Sequence, residues 1–124
     1  MAIAVSVGQT KRFVTESDRS LPEDQQTVFL LRPLTARERA AVQDLSVLDT
    51  ADNSVKLRVG TIHTLTVEKG LTGWSNFRDA AGTEMLFDAK NVAANLDRLS
   101  PDDLVEIYGA IADMNTVTKE QEKN

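Results

Sequence analysis

The stretch Val67-Glu68-Lys69-Gly70-Leu71-Thr72-Gly73-Trp74-Ser75-Asn76-Phe77-Arg78-Asp79-Ala80-Ala81-Gly82 holds the only tryptophan of the chain and glycines at 70, 73 and 82. Val67, Leu71 and Trp74 fall at i, i+4 and i+7, the spacing of one face of a helix that is coming to its end. Gly70 and Gly73 supply the backbone freedom such an end needs. Trp74 is then expected to plug the core where the chain turns, with use as an interface anchor as the alternative. Beyond it, Asp79 to Gly82 carries turn chemistry, and the short apolar run Met85, Leu86, Phe87 reads as a strand.

Working outward toward the N-terminus, Thr61 to Leu71 contains β-branched residues that favour a strand. The Val67 spacing and the Gly70 stop favour a helix, which is the expectation adopted. Val55, Leu57 and Val59 alternate with Lys56 and Arg58 as an amphipathic strand does, after a turn-rich segment over Asp49 to Ser54. Thr35-Ala36-Arg37-Glu38 is a capping box, so a helix is expected from there to about Leu45, with Ala41, Val42 and Leu45 as its apolar stripe.

Gln26 to Arg32, with Val28 to Leu31 apolar and Pro33 as a stop, reads as a buried strand. Lys11 to Thr15 and, more weakly patterned, Ala2 to Val7 are further β-prone runs. Pairing the segments around Phe13 and Phe29 antiparallel leaves Asp18 to Gln25 as a hairpin tip and natural contact arm.

Toward the C-terminus, Ala89 to Leu99 carries Val92, Ala93, Leu96 and Leu99 at helical spacing. Ser100-Pro101-Asp102-Asp103 then opens a helix with a serine cap, proline at the first helical position and acids in the first turn. Leu104, Ile107, Tyr108, Ile111 and Met114 form its apolar face, which must dock on something. The helix should end near Asn115. Thr118 to Asn124 is a charged tail, and 1–117 is expected to fold as a single α+β domain: a small antiparallel sheet with two to four helices packed on it.

Composition limits the function classes. The chain has 124 residues, 41% of them hydrophobic, enough to close one core. A net charge of −5 opposes attraction to phosphate backbones and anionic lipid, so neither nucleic acid nor membrane is an expected partner. With no cysteine, disulfides and thiolate zinc sites are excluded. No secretory leader or membrane span is expected, which places the protein in the cytoplasm or in an assembly formed there.

Chemistry-bearing residues are few. His63 is the sole histidine, and acid–base catalysis or metal binding through it needs partners the sequence does not obviously offer. Asp102 and Asp103 are accounted for by the helix start they occupy. Asp49, Asp52 and Asn53 lack the spacing of a calcium loop, and the glycines lack the order of a phosphate-binding loop. No catalytic residue, cofactor, metal or small-molecule substrate is therefore expected.

One resemblance goes further than these patterns. The order Thr27-Val28-Phe29-Leu30-Leu31-Arg32-Pro33-Leu34-Thr35, then Arg37 and Glu38, followed by Gly70 to Asp79 and by Asn115-Thr116-Val117-Thr118-Lys119-Glu120 with closing Lys123 and Asn124, resembles small proteins from the structural-gene clusters of tailed bacteriophages. It spans roughly Thr27 to the C-terminus and leaves the first strands unaccounted for. Those proteins are tail-assembly chaperones and minor virion components, and the resemblance implies a non-enzymatic role binding other phage structural proteins, or further copies of the chain in a ring or lattice. It implies the host cytoplasm during assembly, and the virion for a structural component. Strand edges and the helix from Ser100 to Asn115 are the expected contact surfaces, with Trp74, Phe77, Leu104, Ile107, Tyr108 and Ile111 as candidate partner-binding residues. A transient chaperone that leaves before the virion is complete is the first alternative; a small enzyme using His63 is the lesser one.

Overall fold

The computed structural model describes residues 2–4, 8–49 and 55–116. Its elements in chain order are β1 (Lys11–Phe13), β2 (Val28–Leu31), α1 (Ala36–Ser46), β3 (Val47–Asp49), β4 (Val55–Leu57), α2 (Val59–Gly70), β5 (Leu71–Ser75), α3 (Val92–Leu96) and α4 (Pro101–Met114). Strands β1, β2 and β5 form an antiparallel sheet with β2 in the centre, and β3 pairs with β4 in a separate hairpin between α1 and α2. This is the expected α+β class.

The register places Phe13 opposite Phe29 and Phe29 opposite Trp74, so three aromatic residues cross the sheet in one row. Val28, Phe29 and Leu31 of β2 are buried, as suits a central strand covered by helices. Leu31 and Leu71 pair one residue out of step with Leu30 and Gly73. Thr72 is the extra residue of this bulge, and its hydroxyl donates to the Leu30 carbonyl at 3.1 Å.

The capping box at Thr35 forms as its sequence requires. Thr35 Oγ1 accepts from the Glu38 amide at 3.1 Å, and Glu38 Oε1 accepts from the Thr35 amide at 3.0 Å. Ser100 caps α4 in the same way, accepting from the Asp103 amide at 3.1 Å. The core gathers Phe29, Leu31, Leu34, Val42, Val67, Leu71, Ile107 and Ile111 from the sheet, from the connection between β2 and α1, and from α1, α2 and α4. Burying such side chains contributes roughly 1.5–3 kcal/mol each and is what holds the layers together.

Several expectations are corrected. Helix α2 forms, but it stops at Gly70, and Leu71 to Ser75 is strand; Val67, Leu71 and Trp74 therefore do not share a helical face. Backbone hydrogen bonds to β2 override the helical spacing of those residues. Gly70 is needed for close approach, because a Cβ there would lie 2.6 Å from Ile111 Cδ1; it does not adopt the left-handed conformation. Gly82 does, at φ 83°, closing a turn in which Asp79 Oδ1 accepts from the amides of Ala81 and Thr83.

Met85 to Phe87 is not a strand. An antiparallel bridge joins Arg78 to Glu84, and the chain beyond is irregular, held by the Trp74 indole donating to the Met85 carbonyl at 2.7 Å. The helix expected over Ala89 to Leu99 is confined to Val92–Leu96, capped by Asn91. The amphipathic strand ends at Leu57, and Val59 already belongs to α2. Leu45, assigned to the buried stripe of α1, is 59% exposed.

Residues 2–4 form no strand, while 5–7, the turn residues 50–54 and the tail 118–124 lie outside the described residues. The loop between β1 and β2 is no free arm. It contains two short 3-10 turns, Asp18 Oδ2 accepts from the Thr27 amide, and the Asn76 side chain donates to the carbonyls of Asp24 and Gln26.

Candidate functional site

Three helices each present a ridge to one open groove. From α1 come Arg39, Val42 and Gln43, from α2 Ile62 and Thr66, and from α4 Tyr108 and Ala112, all at i, i+3 or i+4 spacing. Helix α2 packs against both α1 and α4. The space between their ridges measures about 580 Å³, within the ordinary range of ligand sites.

Leu34 and Asn115 meet at one end of the groove. Asn115 Nδ2 donates to the Leu34 carbonyl at 2.8 Å and Asn115 Oδ1 accepts from the Leu34 amide at 3.2 Å, so one side chain satisfies both backbone groups of a residue 81 positions away. Arg39 Nη1 donates to the same carbonyl at 2.9 Å. Asp44 lies on the rim of α1 further along, about 7.5 Å down the helix axis from Arg39.

Next to this end, Arg32 and Glu38 form a bidentate pair at 2.8 and 2.7 Å. The hydrogen bonds from Arg32, aided by the Thr35 amide and opposed by partial burial, hold the Glu38 carboxyl down at about 2. They raise the Arg32 guanidinium above its usual value. The pair ties the end of β2 to the first turn of α1, fixing one wall of the groove.

The six candidate contact residues do not form one surface. Ile107 and Ile111 are wholly buried in the chain's own core, so the apolar face of α4 docks on its own sheet and α2, and these two are not available to a partner. Leu104 is half-buried against the same core. Trp74 and Phe77 belong to an aromatic cluster at the β5 side of the sheet, with edge contacts at 4.8 Å between them and 5.0 Å from Trp74 to Phe87. Tyr108 alone lines the groove.

His63 stands against Tyr108, ring centroids 4.3 Å apart, as a half-buried packing partner. Among the described residues no group of three or more histidine and acidic side chains is arranged to hold a metal ion. Among them, too, no helix is long and apolar enough to cross a membrane.

Sequence reasoning missed Arg39, Ile62, Thr66, Ala112 and Asn115 as groove residues. Thr66 and Ala112 carry no signal of their own, but Asn115 did: an asparagine at a helix end offers both a donor and an acceptor to a neighbouring backbone. Neither a family model, nor a curated protein, nor a solved structure matches the chain.

Proposed function

We propose that the chain is a non-enzymatic bacteriophage structural or assembly protein that binds other phage structural subunits, as a minor component of capsid, neck or tail. The observation that carries this reading is the open groove between α1, α2 and α4, whose walls are the apolar side chains Leu34, Val42, Ile62 and Ala112. A concave, largely apolar surface of this kind suits side chains offered by a neighbour. The motifs around Thr27 to Glu38 and Gly70 to Asp79 supply the phage context, and the net charge of −5 suits protein rather than nucleic-acid partners.

The groove also favours a second reading, a transient tail-assembly chaperone, because a holding surface must be open when the protein is free. Both readings place the protein in the host cytoplasm during assembly, and the first also in the virion. The test is affinity capture from infected cells together with mass spectrometry of purified virions. Capture of structural subunits with the chain present in virions supports the first reading, and capture with the chain missing from virions supports the second. Capture of no structural subunit overturns both. The enzymatic alternative requires that His63→Ala abolish function, whereas a binding role leaves it intact.

A further inference from the structure

We infer that the outer edge of β1 takes an extended segment of a partner subunit, added as a further antiparallel strand with an acidic side chain opposite Arg12 and an apolar one on either side of it. This rests on the binding role proposed above, uses a surface apart from the groove and names the chemistry of the partner.

Backbone alternation along β2 decides which groups of β1 are free. The Leu30 carbonyl accepts from the Thr72 hydroxyl and the Arg32 amide donates to the Gly70 carbonyl, so these positions turn toward β5. Phe29 and Leu31 between and beside them turn toward β1 and bond to their partners Phe13 and Lys11. Arg12 lies between those two, and its amide and carbonyl therefore point away from the sheet. Further along, the Val14 carbonyl is already taken by Arg19 Nε at 3.1 Å, so a newcomer pairs around Arg12.

Side chains sort by the same alternation. Lys11 and Phe13, with Gly109 and Ala110 of α4, line an open pocket of about 340 Å³ beside this edge. Nothing lies within 4 Å of the place a Cβ on Gly109 would take, so the pocket floor has room for a side chain. An added strand sends the two residues that flank the one opposite Arg12 into that space. The pocket walls carry both signs of charge, Lys11 against Glu106 and Asp113, so Phe13 and the bare Gly109 select an apolar side chain. Arg12 itself stands on the other face, exposed and without an acidic partner, since the ion pair among the described residues joins Arg32 to Glu38. A second copy of β1 is the wrong occupant: pairing antiparallel about Arg12 sets two arginines directly opposite each other, which is destabilising.

The probes are seven-residue peptides Ser-Thr-Val-Glu-Val-Thr-Ser, acetylated and amidated, with a second version carrying Lys for Glu and a third carrying N-methyl-Glu, which cannot donate to the Arg12 carbonyl. In an NMR titration of the full chain, the Glu peptide should shift amides of β1 and of α4 around Gly109 and slow hydrogen exchange at the Arg12 amide. It should bind about fivefold more tightly than the Lys peptide, and the N-methyl peptide should not bind. Arg12→Glu should reverse the preference. Gly109→Leu fills the pocket with a better helix former, so it should abolish binding without lowering the melting temperature. No shifts at β1, equal binding of the N-methyl peptide, or a preference that survives Arg12→Glu overturns the proposal. So do β1 shifts that follow the concentration of the chain itself, which would make a second copy the occupant. Capture of structural subunits by a chain that binds no peptide at β1 would sink the edge and leave the wider reading standing. Peptide binding without such capture would do the opposite.

Discussion

Asn115 and Leu34 are joined by two hydrogen bonds that imitate a step of β-pairing, with a side-chain amide in place of a second strand. Asn115→Asp keeps the size and the acceptor but loses the donor, and it sets a carboxylate oxygen against the Leu34 carbonyl. The expected cost is about 1–3 kcal/mol of folding stability, measured by urea denaturation, with Asn115→Ala falling in the same range. A wild-type midpoint in both variants would show that the clasp contributes nothing.

Gly70 and Ile111 are in contact so close that a methyl group cannot be added. Gly70→Ala should destabilise by about 1–3 kcal/mol even though alanine is the better helix former. Ile111→Val in the same chain removes a methyl group and should return part of the loss. A double-mutant cycle reads that coupling; strictly additive effects would contradict it.

The Glu38 carboxyl, held at about 2 against an ordinary value of 4.5, binds its proton less readily folded than unfolded. Its contribution to stability is complete above about pH 4.5 and is lost as the pH falls toward 2. Glu38→Gln should lower stability at neutral pH and flatten the acid limb of the stability curve across that window.

Asp103 has the opposite sign. Burial, with Glu106, Asp18 and Asp102 as like charges and against the favourable hydrogen bond from Ser100, raises its carboxyl above the ordinary 3.8. The folded state therefore takes up this proton first, and the group's contribution improves as the pH falls through its folded value. Asp103→Asn should raise stability at neutral pH and abolish that gain, as seen by thermal melts at a series of pH values. A lower melting temperature at neutral pH would refute the assignment.

The elements whose rules are local were legible in the sequence. Thr35 with Glu38, Ser100 with Pro101, and the Phe13 to Phe29 pairing all rest on neighbours a few residues apart or on one hairpin. What sequence periodicity misread was decided by distant chain. Leu71 to Trp74 pairs with β2 across some forty residues, which turned a helical spacing into a strand. Met85 to Phe87 found aromatic packing and one indole hydrogen bond where a strand partner was expected. The groove was invisible because it belongs to no segment, being the space that α1 and α4 leave over α2. Asn95 shows the same limit: 1% exposed, it binds both backbone groups of Asp88 at 2.9 Å, a role no local pattern announces.

The central position of β2 also sets an order of events during synthesis. One side of β2 is covered as soon as its hairpin with β1 closes, but the other waits for β5, which leaves the ribosome only after α1, the β3–β4 hairpin and α2. Until then Val28 to Leu31 offers an apolar strand with unsatisfied amides to any nascent chain nearby. Crowded polysomes are where this protein is most exposed to misassembly, and mutations that delay β5 should lower soluble yield more than they lower the stability of molecules that have already folded.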